Sequence, residues 1–104
     1  MRLKSPPIPQ SSYIDVEESN VPKQLIYREA VVRNSLEAHI VRFSHPNKII
    51  CGIACIPKDE NTPSPVVELE KGGIGYNFVE IRLTPERRGN WACGVEILGR
   101  EREM

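Results

Sequence analysis

A chain of 104 residues with 39% hydrophobic content has room for one domain with a modest core. Its 14 basic and 14 acidic residues cancel and are interleaved, which argues against the clustered basic face that direct nucleic-acid binding uses. Nine prolines, spread from Pro6 to Pro85, leave little length for helices, and no apolar run approaches the roughly 18–20 residues of a membrane span.

Residues 1–24 read as a flexible tail. Pro6, Pro7, Pro9 and Pro22, a Ser-Ser pair and the acidic Asp15, Glu17 and Glu18 offer little apolar surface. That surface has to offset roughly 1–2 kcal/mol of backbone entropy per ordered residue. A sharper reading makes Tyr13-Ile14 the centre of an extended partner-binding segment. The basic start leads into no apolar stretch of the kind a signal peptide carries. The expected location is therefore nuclear or cytoplasmic, or extracellular for a chain whose leader has been lost.

From residue 25 the pattern is that of strands. Residues 25–32 are apolar and rich in β-formers, and Arg33-Asn34-Ser35 signals a turn. In 37–44, period-two alternation puts His39, Val41 and Phe43 on one face. After the turn His45-Pro46-Asn47, residues 48–56 are nearly all apolar or small, as expected of a central strand buried on both faces. A polar loop fills 57–65, and 66–70 is a short strand. Next comes the turn Gly72-Gly73-Ile74-Gly75. Residues 77–84 alternate, with Val79, Ile81 and Leu83 on one side. An Arg- and Gly-rich turn covers 85–90. The closing strand, 91–98, carries Trp91, Cys93, Val95 and Ile97 on one face, and 100–104 is a solvated charged tail. The expected fold is all-β: a small antiparallel six-stranded sandwich or open barrel over 25–99, with a disordered N-terminal tail. A helix over 23–36 is the alternative, and its β-branched content weighs against it.

Few residues suggest chemistry. A phosphate-binding glycine loop ends in Gly-Lys-Ser/Thr and opens a helix. Here Tyr76-Asn77-Phe78-Val79 follows, so the glycines read as a turn that needs positive φ. Cys51, Cys55 and Cys93 could supply part of a metal site, but a structural zinc needs four ligands and Ile53 sits between the first two on a strand. They read otherwise as three buried thiols, or as a Cys55–Cys93 disulfide in an oxidising compartment. His39 and His45 lie near Ser35 and Ser44, without a nucleophile elbow or an assignable orienting carboxylate, so no catalytic residue is expected. Arg87 and Arg88 form the densest basic group with Arg82. They are candidate contacts for an acidic partner, together with Lys58 and Asp59 of the 57–65 loop and Tyr13 of the tail.

From about 25 to 99 the chain resembles the insect multiprotein bridging factor two family. Asn47-Lys48-Ile49-Ile50-Cys51-Gly52-Ile53 is similar to that family's apolar central strand. Gly72-Gly73-x-Gly75-Tyr76-Asn77-Phe78-Val79, then Arg88-Gly89, then Val95-Glu96-Ile97-Leu98-Gly99 follow the order of its glycine turn, alternating strand, Arg-Gly turn and closing strand. The resemblance implies that Gly72, Gly73, Gly75, Val79, Gly89, Val95 and Gly99 are scaffold. It further implies a non-enzymatic transcription coactivator without cofactor or metal, working through protein partners such as a bridging coactivator or the basal transcription machinery. Other members resemble secreted gut or salivary proteins induced by infection or feeding, which is the alternative. The chain departs from the family pattern in three respects: it shows no leader, Leu98 stands at a frequent aromatic position, and the 57–65 loop is not Asp- and Gly-rich.

Overall fold

The structure is a computed structural model and describes residues 12–16 and 22–102. Its elements are β1 (Ser12–Val16), β2 (Gln24–Asn34), β3 (His39–Ser44), β4 (Lys48–Pro57), β5 (Val66–Gly72), β6 (Phe78–Thr84) and β7 (Asn90–Glu101). They build two antiparallel sheets, one in the order β1-β4-β7-β2 and the other β3-β6-β5. Six strands from β2 onward match the expected all-β sandwich, and the helix over 23–36 is not formed.

Side-chain alternation drives this layering. Val79, Ile81 and Leu83 of β6 and Trp91, Cys93, Val95 and Ile97 of β7 are all buried, and they meet in one core with Val31, Val41, Ile50 and Ile53. Burying each large aliphatic side chain is worth about 1.5–3 kcal/mol. Strand β4 lies between β1 and β7, and its residues 50–54 are all buried, as a central strand requires. Ile50 and Ile53 are three apart yet share the core. A bulge between Ile50 and Gly52 adds one residue and resets the phase of the alternation.

Three boundaries differ from the sequence expectation. Within the segment taken as a flexible tail, Ser12–Val16 form β1 on the edge of β4, with Tyr13 opposite Ala54. Residues 1–11 and 17–21 lie outside the described part. The charged end is not a free tail through residue 102. Arg100 and Glu101 pair with Ile49 and Lys48, and the Arg102 N–H donates to the Asn47 carbonyl at 3.1 Å. Residues 103–104 again lie outside the described part. Finally, β2 runs through the expected turn at 33–34, because β7 offers ladder partners as far as Asn90.

The glycine turn is a turn, as its composition requires. Gly72, Gly73 and Gly75 have φ of 70°, 115° and 89°, a region that L side chains avoid. The Gly73 N–H donates to the Phe78 carbonyl at 3.0 Å. The turn also reaches the other sheet: the Gly75 N–H donates to the Ile50 carbonyl at 2.9 Å, and the Ile50 N–H donates to the Tyr76 carbonyl at 2.8 Å.

Candidate functional site

Two loops leave the sandwich at one end because the strands that carry them are neighbours. Pro57, the last residue of β4, sits opposite Cys93 near the start of β7. The loop after β4 and the loop before β7 therefore rise side by side. Each is shaped locally. In the first, the Asp59 carboxylate accepts the N–H groups of Asn61 and Thr62 at 2.9 and 2.7 Å, an Asx turn. Hydrogen bonds from the Thr62 hydroxyl and then from these two amides hold the Asp59 carboxyl below its ordinary range. The Pro63 carbonyl accepts the Ala92 N–H at 3.1 Å and ties this loop to β7. In the second, Gly89 turns the chain at φ 132°.

Between the loops is a cleft of about 480 Å³, lined by residues 60–64 and 85–91. Arg87 and Arg88 are exposed on its border, and Glu60 and Glu86 share the lining, so its charge is balanced. Trp91 closes the inner side. It is 2% exposed, and its indole Nε1–H is buried with no acceptor among the described residues. A buried donor without a partner is costly.

The expected contact residues divide among different places. Arg87 and Arg88 lie on the cleft. Asp59 shapes the cleft loop from within. Lys58 borders a separate, shallower groove of about 330 Å³ on the outer face of the β1-β4-β7-β2 sheet, next to Ile56, Val32 and Ala92. Tyr13 is on β1, paired with Ala54 of β4. The sequence reading did not single out Glu60, Thr62, Glu86 or the indole of Trp91. Only the pairing of β4 with β7 brings them together.

The remaining candidates are accounted for by structure. No disulfide joins Cys55 to Cys93 in the structure, and Cys51 is likewise in none. Cys55 and Cys93 do meet, diagonally across β4 and β7, and their thiols share a hydrogen bond. That bond holds Cys55 low against the upward pull of its burial. The same bond, with burial, pushes Cys93 up. No group of three or more His, Cys, Asp or Glu among the described residues is placed to hold a metal. His45 is turn chemistry, its Nδ1 accepting the Asn47 N–H at 3.0 Å, and the Ser35 hydroxyl accepts the Glu37 N–H at 3.2 Å. His39 has a carboxylate partner that sequence could not assign, Glu29 at 3.0 Å.

A family model described as Transcription activator MBF2 matches residues 18–99. The chain belongs to the MBF2 transcription activator family. No curated protein and no solved structure matches it. The MBF2 match takes in both cleft loops and all the strands from β2 to β6. The residues that carried the resemblance have structural work in this MBF2 chain. Gly72, Gly73, Gly75 and Gly89 adopt positive φ, and Val79 and Val95 are core. At Gly99 a Cβ would collide with Ile26 and lie 3.0 Å from the Ile49 carbonyl oxygen.

Proposed function

We propose that this chain acts as a non-enzymatic coactivator whose partners are proteins of the transcription machinery, and that the cleft between residues 60–64 and 85–91 is its partner-binding surface. One observation carries the reading: the two loops singled out for partner contact converge on a single cleft, with Arg87 and Arg88 on its border. Arginine beside a half-formed pocket is the residue type that anchors protein partners. The balanced charge, with Glu60 and Glu86 beside the two arginines, favours a folded or peptide partner over a phosphate backbone. The odd cysteine count, which does not suit a fully paired secreted framework, favours a nuclear or cytoplasmic setting.

The test is a pull-down from nuclear extract with the wild-type chain and with an Arg87→Glu/Arg88→Glu double variant. The wild type is expected to recover a transcription factor and the double variant to lose it while keeping its far-UV circular dichroism. Failure of the wild-type chain to recover any transcription factor overturns the reading.

A further inference from the structure

The four edge strands of the sandwich are not equivalent. β1, β3 and β5 have 5, 6 and 7 residues, whereas β2 has 11. Among the described strands β2 is laddered to β7 alone, and none lies on its other side. After a bulge between Leu25 and Tyr27, its pairing is regular from Tyr27 to Asn34. Native proteins usually blunt such an edge with charges, bulges or a cover, because its free N–H and C=O groups are a template for another strand. Here Ala30 and Val32 are exposed, Val32 at 60%.

The direction of the backbone groups follows from one contact. The Arg33 guanidinium donates to the Val32 carbonyl at 3.0 Å, so that carbonyl faces the free edge. In an antiparallel ladder alternate residues point the same way, which places the N–H and C=O of Ala30 and Arg28 on that edge too.

We propose that the free edge of β2 joins a second copy of this chain, antiparallel, into one continuous sheet. A two-fold pairing must be self-complementary, and charge selects the register. Centred on Val31, it sets Glu29 opposite the partner's Arg33 and Arg33 opposite the partner's Glu29. Ala30 and Val32 then face each other with their edge-facing groups bonded. Centred on Glu29, it would set two carboxylates opposite one another. Each Glu29 oxygen already accepts one hydrogen bond, from Tyr27 or His39, and has a lone pair left for the incoming guanidinium. Arg33 exchanges its own Val32 carbonyl for that carboxylate. On the outer face, Ala30 and Val32 of both copies close an apolar strip that continues into Ala92 and Ile56.

Sedimentation equilibrium of the full 104-residue chain across a dilution series tests this. The expected result is a dimer that dissociates on dilution. Ala30→Pro removes an N–H that faces the free edge and leaves the β2–β7 ladder bonds in place, so it is expected to give a monomer with unchanged circular dichroism. Arg33→Glu is expected to weaken the dimer about tenfold or more, whereas Arg33→Lys, which keeps a cation opposite the partner's Glu29, is expected to retain it. Should Ala30→Pro fail to fold, the Arg33→Glu and Arg33→Lys measurements decide. A wild-type chain that is monomeric at every concentration overturns the proposal, as does a dimer that none of these changes weakens.

Discussion

His39 Nε2 lies 3.0 Å from Glu29 Oε2, joining β3 of one sheet to β2 of the other. The Tyr27 hydroxyl donates to the second Glu29 oxygen at 2.7 Å, and Arg33 reaches His39 Nδ1 at 3.1 Å. An arginine can only donate, so Nδ1 accepts and Nε2 carries the proton given to Glu29. The Tyr27 and Phe43 rings, with centroids 5.2 Å apart, continue the same inter-sheet seam.

That seam makes stability depend on acid. Burial pushes the Glu29 carboxyl up, but the hydrogen bonds from Tyr27 and His39 and the nearby charge of Arg33 outweigh it and hold the group below its ordinary range. A carboxyl lowered by folding contributes its full stabilisation above the unfolded value of about 4.3 and loses it as pH falls through the lower folded value. Glu29→Gln is therefore expected to cost about 0.5–1.5 kcal/mol at neutral pH. Urea denaturation of both proteins is expected to show the gap narrowing below about pH 4.

The glycine turn provides a graded comparison. A Cβ at Gly72 would collide with the Phe78 carbonyl, whereas at Gly75 nothing lies within 4 Å. Gly75→Ala is expected to cost about 1–2 kcal/mol for its backbone conformation alone. Gly72→Ala is expected to cost more. Denaturation midpoints of the two variants check the order, and equal costs would contradict it.

Core substitutions are expected to separate packing from polar cost. Ile81→Ala empties a fully buried site and is expected to cost about 2–5 kcal/mol. Trp91→Phe also loses volume, but it removes a buried N–H without an acceptor, a penalty of about 1–3 kcal/mol. Its net cost is expected to be the smaller of the two by thermal unfolding.

Thiol reactivity is expected to single out one cysteine. Cys55 is half-buried and held low by the Cys93 thiol, while Cys51 and Cys93 are buried. Thiolate is the reactive form, so alkylation of the folded protein followed by mass spectrometry is expected to modify Cys55 first. Cys93→Ala removes the bond that lowers Cys55 and is expected to slow that reaction.

Strands such as β6 and β7 are legible in the sequence because each carries its own alternation, and that alternation survives in the core. β1 is not, since Ser12–Val16 have no pattern of their own and depend on the edge that β4 offers. The register of β4 is hidden for a related reason: the bulge at Ile50–Gly52 breaks the period that a reader counts. Arg87 and Arg88 are visible as turn residues, and so are Lys58 and Asp59. That the first pair shares a cleft with Glu60 and Thr62 while Lys58 borders another groove depends on strand pairing far away in sequence. The partnership of Glu29 and His39 is equally invisible, because it spans two sheets.

The bonds between Ile50 and the glycine turn have a consequence for how the molecule opens. Freeing the β5–β6 hairpin means breaking the first core residue of β4 away from its place, so neither layer can peel off by itself at that end. The amides of Ile50 and Gly75 should exchange with solvent together, at the rate of whole-molecule unfolding. Toward the opposite end, where the cleft loops stand, the layers are joined by the His39–Glu29 bond and by the Ala92 N–H given to the Pro63 carbonyl.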